Sequence, residues 1–509
     1  MKKKIFKRKN IIISLVLIFI FICIITASNS TSLQNILMND IYVKNFEPIT
    51  KTDRILILAP HPDDEAISSA GLIQKALSVG AQVKIVYFTN GEYNQESFLI
   101  YEKRPLILKD QFLELGKIRM KEAISAMTGL GLKKDDLIFL GYPDFGTMDI
   151  LVEYWDKNKP YSNILENISS VPYSECQSFN APYIGQNILN DLENILKDFK
   201  PTKIIVSNPA DLNRDHQAFY VFLRVALLDL KNDLETIPKI YTYLVHVRNW
   251  PLPKGLNKDY QLNIPENMEF IGDNWVNLNL NQDEINKKEY VVDKYVSQIK
   301  YNPEFLVSFV RKNELFSIYN DITVTKNNSS NSSININSNN INSNNMNNNN
   351  TNKVNTNRGN TQTTDLNNNK INDKQNFVNL KNNNPENNNE ENIQYYIKDN
   401  YLFLDVGLKS KIDKDFGISI YLLSYSSKQD FSLMPKIHIV INFKGISIKD
   451  KFNFINNKDI NYYYQGNNLI IKVPFNILNE PDYIMSYIRT HSTRLIFDKS
   501  MWQILKINN

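Results

Sequence analysis

Arg54-Ile55-Leu56-Ile57-Leu58-Ala59-Pro60-His61-Pro62-Asp63-Asp64-Glu65 is an apolar run that stops at a proline and then delivers a histidine and three acids. The aliphatic part predicts a buried strand, and the pattern from Glu65 to Val79, closed by Gly80, predicts the helix that follows it. Ligands of open α/β sheets gather just beyond the carboxyl ends of such strands. A histidine and two carboxylates delivered together at that point predict a bound metal.

The same alternation continues along the chain. Gln82 to Thr89 reads as a second strand, Arg119 to Leu130 as a helix, and Asp136 to Gly141 as extended chain. Ile188 to Phe199 is again helical, Lys203 to Ser207 extended, and Asp215 to Leu230 helical. Alternation of this kind predicts an α/β fold, a parallel sheet with helices on both faces.

A second strand end carries similar chemistry. Lys203-Ile204-Ile205-Val206-Ser207 runs into Asn208-Pro209-Ala210-Asp211-Leu212-Asn213-Arg214-Asp215-His216. A catalytic zinc takes three protein ligands and keeps one open position. His61, Asp64 and His216 supply that set, and two of the chain's 5 histidines therefore sit in strand-end loops of one domain. Other divalent metals of similar ligand preference remain compatible with these residues.

Asp63 has a separate task. Neighbours on one turn do not both enter a tetrahedral shell, so Asp63 is left beside the metal as a general base, taking a proton from water whose pKa zinc lowers towards about 7. Helix capping is the plain alternative for the two aspartates, and such a cap stabilises by about 1 kcal/mol. The accompanying histidines favour the metal.

The strand followed by Ala59-Pro60-His61-Pro62-Asp63-Asp64-Glu65 is joined in order by Thr89-Asn90-Gly91-Glu92, the Arg119 and Glu122 pair, Leu140-Gly141-Tyr142-Pro143-Asp144, and Asp215-His216. From about Thr52 to Pro253 this series resembles the LmbE-like N-acetylglucosaminyl deacetylases of the PIG-L superfamily. The resemblance implies a Rossmann-like fold, a zinc site on His61, Asp64 and His216, Asp63 as base, and hydrolysis of the N-acetyl group of a GlcNAc-type sugar.

One departure from the family pattern falls inside the site. Many members carry a histidine three residues before the last zinc ligand, where it stabilises the oxyanion, and this chain has Asn213. An amide donates to developing negative charge more weakly than an imidazolium, so either Asn213 serves or the site is impaired. His246, after a further strand, is the other candidate for that work, against a plain structural histidine. Asp215 is expected to orient a site histidine from behind. Asp144 is expected to touch substrate hydroxyls or to be ordinary turn chemistry, and Trp250 to stack on a sugar or form a buried wall. Arg119 and Glu122 are spaced for a plain ion pair on one helix face.

The remaining stretches set the domain plan. Residues 1–30 join a Lys- and Arg-rich start to an apolar run from Ile11 to Ile25, which predicts a membrane anchor or signal segment. Lysines held on the cytoplasmic side then place the catalytic domain outside, single-pass at the cell membrane, or secreted if the segment is cleaved. Residues 45–325 form the deacetylase-like domain. Residues 326–393, dominated by Asn, predict a disordered linker with too little apolar surface to offset ordering. Residues 394–509 hold short β-branched and aromatic segments that predict an all-β, sandwich-like domain.

Composition narrows the partners. A net charge of +4 over 509 residues, with much of the excess at the N-terminus, does not suit a nucleic-acid binder. The 2 cysteines include Cys23 inside the apolar run and an isolated Cys176, so no internal disulfide framework is available. The expected function is an exported, zinc-dependent deacetylase acting on an N-acetylated amino sugar, in an envelope or extracellular glycan. The competing expectation is a catalytically impaired surface protein that binds glycans on the same fold. A phosphoesterase would want two metals, and the visible ligands suffice for one.

Overall fold

A computed structural model describes residues 43–94, 109–163, 167–266, 268, 274–327, 393–408, 411–414, 416–456, 458–491 and 496–508. The strands of its first sheet are β1 (Lys44–Asn45), β2 (Arg54–Ala59), β3 (Gln82–Thr89), β4 (Leu137–Tyr142), β5 (Lys203–Ser207), β6 (Lys239–Tyr243), β7 (Asn274–Asn279) and β8 (Asn313–Ile318). Among the described residues they lie in the order β1-β7-β8-β6-β5-β2-β3-β4. The strands from β6 to β4 in that order are mutually parallel. β8 runs antiparallel to both β6 and β7.

The helices are α1 (Asp64–Ser78), α2 (Lys109–Leu130), α3 (Thr147–Val152), α4 (Gly185–Phe199), α5 (Arg214–Asp229), α6 (Gln282–Val292) and α7 (Val296–Tyr301). From β2 the chain steps outward through α1 to β3 and through α2 to β4. It then crosses back through α3 and α4 to β5, on the other side of β2. Because parallel crossovers are right-handed, reversing the direction of travel places the later helices on the opposite face. The packing agrees: α1, α2 and α6 contact one another, while α5 contacts α3 and α4. The reversal falls between β2 and β5, so the crevice beyond their carboxyl ends is the topological switch point, where ligands bind in such sheets.

Apolar residues fill both sides of the sheet. Ile55, Ile57, Leu58 and Ala59 of β2 and Ile204, Ile205 and Val206 of β5 have no exposed surface. Such all-apolar strands belong to a sheet covered on both faces. Helix α2 begins well before the Arg119 start expected from its pattern, because Phe112, Leu115 and Gly116 continue the buried stripe towards its N-terminus. Beyond β6 the sheet is extended by β8, β7 and β1, which the sequence pattern does not predict.

The C-terminal unit is β-rich. Among the described residues it forms one 12-stranded sheet, curled over a core that includes Leu402, Leu404, Ile418, Ile439, Ile471 and Val473. Alternation is clear in Tyr401–Gly407, where every second residue is buried. The strand Ile322–Asn327 pairs in parallel with both Ile393–Lys398 and Gln503–Asn508, so chain preceding the Asn-rich stretch completes this sheet. One outer face packs on the α/β unit, with Phe431, Met485, Tyr487 and Trp502 joining its core cluster.

The single-pass membrane placement expected above is corrected. Among the described residues no helix is long and apolar enough to cross a membrane. The 22-residue α2, for example, is threaded with Asp110, Glu114, Lys117, Arg119 and Lys121. Residues 1–30, on which the anchor was based, lie outside the described residues, as does the Asn-rich linker apart from its ends.

Candidate active site

The strand β2 ends in the turn that carries His61, Asp63 and Asp64. Asp64 Oδ2 accepts the His61 backbone N–H at 2.9 Å, folding the turn onto itself. Asp63 occupies the position before the first residue of α1 with φ 126, in the region that favours glycine, and its side chain makes no capping bond. Instead its Oδ2 accepts from Arg119 Nη2 at 3.0 Å. Arg119 is fixed by two further donations, to Pro62 O and Gly91 O, each at 2.8 Å. Gly91, at φ 64, lies so close to that guanidinium that a β-carbon would collide with it. Capping therefore does not account for Asp63, and a strained backbone at a cavity wall is the kind of feature that accompanies function.

The strand β5 delivers the second half. Asn213 caps α5 by accepting the Asp215 N–H at 2.8 Å, which sets His216 in the first turn of the helix. His216 Nε2 lies 3.2 Å from Asp64 Oδ2, and His61 Nδ1 lies 3.4 Å from the same oxygen. Candidate ligand atoms of His61, Asp64 and His216 all fall within 4.8 Å of one another. Both ring nitrogens of His216 are buried with no hydrogen-bond partner of proper geometry. Buried polar atoms are rarely left so. A divalent cation shared by two imidazoles and a carboxylate would engage one of these nitrogens, the other being turned towards Asp211, so the donor set fits a metal.

The far nitrogens of the two imidazoles face carboxylates. His61 Nε2 is 3.1 Å from Asp144 Oδ1 and 3.5 Å from Asp215 Oδ2, and His216 Nδ1 is 3.5 Å from Asp211 Oδ2. Carboxylates behind metal-binding histidines fix ring orientation and raise basicity. The groups Asp211, His216, His246 and His61, Asp144, Asp215 also have metal-like spacing. Each shares a histidine with the first group and supplies the carboxylate behind it.

Electrostatics separate the two neighbouring aspartates. Burial pushes the Asp63 carboxyl up to about 7, against the pull of Arg119 and with the push of Asp64. Burial also opposes the charge on Asp64, but His216 and His61 outweigh it and hold Asp64 well below the usual range. Burial disfavours charge on His61, yet Asp144, Asp215 and Asp64 together raise it above its ordinary value. Burial likewise works against the Asp211 charge, while His216, His246 and backbone donors hold that carboxyl low.

Of the two alternatives for Trp250 the buried one holds, and the Arg119 to Glu122 ion pair is not formed. Trp250 does not line the cavity: it is buried, its Nε1 donates to Asn263 O at 2.9 Å, and its ring packs edge-on to Phe309. Its polar edge is used by the Asn263 carbonyl and its ring belongs to the core. Arg119 is not engaged in the expected pair with Glu122, because Asp63 is its carboxylate partner and Glu122 accepts from the Ser297 N–H and hydroxyl at 2.8 and 2.7 Å. Asp144 lies at the cavity, but its oxygens face His61 and the Tyr93 N–H. Asn213 and His246 both line the cavity. Asp215 stands behind His61 and also accepts from Phe145 N at 2.7 Å and from Thr147.

Asp211 is a member of the site that the sequence alone does not single out. It is fully buried and accepts the N–H groups of Asn213, Val245 and His246 at 2.9, 3.0 and 3.0 Å. It also meets His246 Nδ1 at 3.2 Å. The signal available was the Asp-Leu-Asn spacing, since a bond from Asp to the N–H two residues on is ordinary turn chemistry.

Comparisons with known proteins find similar sequences and structures. The family described as GlcNAc-PI de-N-acetylase (PIG-L) matches residues 56–227. A 1D-myo-inositol 2-acetamido-2-deoxy-alpha-D-glucopyranoside deacetylase of Kribbella flavida is 27% identical over 199 residues, covering 37% of this chain and 60% of that protein. The enzyme of the same name from a Mycobacterium species is 31% identical over 121 residues, 24% of this chain and 34% of that protein. The chain thus spans less than two thirds of the length of these relatives. Among solved structures, the N,N'-diacetylchitobiose deacetylase of Pyrococcus horikoshii is similar at a TM-score of 0.34 and 19% identity, over 57% of this chain and 92% of that one. With its motifs, sheet order and buried histidine and aspartate cluster in place, the stretch from residue 56 to residue 227 is a PIG-L family domain.

Proposed function

We propose that this chain is a zinc-dependent amide hydrolase that removes the acetyl group from an N-acetylated amino sugar. The observation that carries the reading is the convergence of His61, Asp64 and His216 at the switch point, with Asp63 beside them on the wall of one open cavity. That cavity, about 540 Å³ in volume, is of a size that suits small ligands. Zinc is assigned because two imidazoles and one carboxylate match a catalytic zinc set with a position left open. When bound, the metal supplies Lewis-acid chemistry, lowering the pKa of water and polarising an amide carbonyl.

The protein's own groups complete the reaction. Asp63 takes the proton as water oxygen adds to the acyl carbon, and returns it to the amine as the C–N bond breaks and acetate leaves. Arg119 holds the Asp63 carboxylate in place through a bond of 3.0 Å. Asn213 and His246 line the same cavity and are assigned to the developing oxyanion, with Asp211 setting the His246 ring. Asp144 and Asp215 hold the His61 ring, and Asp211 the His216 ring, each from the side away from the site.

Acetate release from N-acetylglucosamine oligomers tests the reading. The full chain loaded with zinc should release acetate, a chelator should stop it, and added zinc should restore it. No release from any N-acetylated amino sugar by the zinc-loaded protein overturns the proposal. Asp63→Asn should keep its zinc, measured by atomic absorption, while turnover falls about a thousandfold. Activity surviving that change would reassign the base.

A further inference from the structure

The position after Asp144 departs from what a tight turn ordinarily selects. Pro143 to Gly146 form a turn closed by the Gly146 N–H on Pro143 O at 3.1 Å, and its third residue, Phe145, has φ 59. Glycine or asparagine is the usual occupant of such a conformation, and a bulky residue there is an outlier that must be held by its surroundings. The hold is visible: the Phe145 N–H donates to Asp215 Oδ2 at 2.7 Å, on the carboxylate that also faces His61. The ring is not part of the core cluster, and Phe145 is 55% exposed. It nevertheless lines the cavity together with His61, Asp63 and Asn213. Among the described residues it is the one large, exposed apolar side chain that does so.

A strained backbone, a ring left in solvent and an anchor shared with a metal-site histidine are hard to explain by stability. We propose that Phe145 is the stacking platform for the pyranose ring of the substrate and sets the preference for a cyclic amino sugar over other N-acetyl amides. A pyranose presents a face of C–H groups that an aromatic ring desolvates, whereas an acyclic amide offers no comparable surface. Phe305 carries the apolar wall further around the cavity. Asp215 couples the platform to the site, since one carboxylate fixes both the Phe145 backbone and the far side of His61. This assignment rests on the deacetylase reading for the identity of the ligand, and its test is arranged so that the two can fail separately.

Three variants of the full chain, Phe145→Ala, Phe145→Gly and Phe145→Trp, are compared with wild type. Glycine removes the ring and also the backbone strain, so it should unfold at a higher temperature than Phe145→Ala while binding sugar as poorly. Both small variants should raise KM for N-acetylglucosamine oligomers about tenfold, as expected for losing a desolvated ring face. Their selectivity for those oligomers over N-acetylethanolamine should fall by the same factor. Phe145→Trp should restore KM.

Calorimetric binding of N,N'-diacetylchitobiose, with and without Phe145→Ala in an Asp63→Asn background, gives a readout independent of turnover and should show a Kd about tenfold weaker without the ring. If wild type releases no acetate but this difference in Kd appears, the deacetylase reading fails and the platform stands. Unchanged KM and Kd in the Ala and Gly variants, with zinc content equal to wild type, overturn the platform. Absence of disaccharide binding by the parent protein overturns it equally.

Discussion

In the turn after β2 the backbone N–H groups of His61 and Asp63 are bonded by side chains of the turn itself, with Arg119 clamping it from outside, whereas the turn after β5 adds to its local bonds a larger set of anchors from distant parts of the molecule. In the first, His61 N–H bonds to Asp64, Asp63 N–H to Glu65 at 3.1 Å, and Thr89 on the adjoining strand bonds to Pro60 O through its N–H and hydroxyl. In the second, Asn208 is gripped by Thr242, Ser317 and Tyr319, and Asp211 by the backbone of Val245 and His246. The Trp502 N–H of the β-rich unit reaches Pro209 O at 3.3 Å. Two ways of making a rigid loop thus meet at one cluster of candidate metal ligands. Both loops bond their own backbone through side chains, but the short one needs only Arg119 and Thr89 beside it, while the longer one, extended by its Asx turn, needs a scaffold around it.

The contrast is broken most severely at Asp211. Asp211→Ala strands three backbone N–H groups and leaves His216 and His246 without their carboxylate. It should cost about 3–5 kcal/mol in urea unfolding and weaken zinc binding about 10- to 100-fold in a chelator competition. If the loss were under 1 kcal/mol, the second turn would not depend on this hub.

The matching change beside the first turn, on β3, should be much milder. Thr89→Val keeps the shape of a fully buried side chain but loses its hydroxyl bonds to Pro60 O and from the Gly91 N–H. The expected cost is about 1 kcal/mol, with zinc affinity close to wild type because the His61 to Asp64 bonds remain. A drop in zinc affinity as large as that of Asp211→Ala would erase the distinction between the turns.

The smallest effect belongs to the opposite ends of the same two strands. Asp53, just before β2, accepts from Lys203 Nζ at the start of β5 at 2.5 Å. Burial opposes the Asp53 charge, but Lys203 and the Thr50 and Thr202 donors prevail and lower its carboxyl to about 2. A folded-state pKa below the unfolded one gives stability that is present above about pH 4 and fades as pH falls towards 2. Urea midpoints measured across that window should decline less for Asp53→Asn than for wild type. An equal decline would remove Asp53 from the acid response.

The same division explains what was legible beforehand. His61, Asp63 and Asp64 could be read because strand, turn and helix start lie within a dozen residues and their chemistry is local. His216 could be read because a second apolar strand preceded it. The partner of Arg119 could not, since helix spacing points to Glu122 while the fold brings Asp63 from 56 residues earlier. Trp250 carries the residue type of a sugar platform, yet Asn263 and Phe309 enclose it. Phe145 lay beside Asp144 in a stretch that looked like ordinary turn chemistry, and only its φ and exposure set it apart.

By itself the sequence determined the α/β alternation, the two strand ends and the types of ligand they present, because hydrophobic period and turn chemistry act over a few residues. The tertiary structure decided that β2 and β5 are neighbours at the reversal of strand order, and therefore that the two turns share one site. It also decided which carboxylate stands behind which histidine and which aromatic faces the cavity. Those choices depend on pairing and packing between segments far apart in the chain, where no local period carries the information.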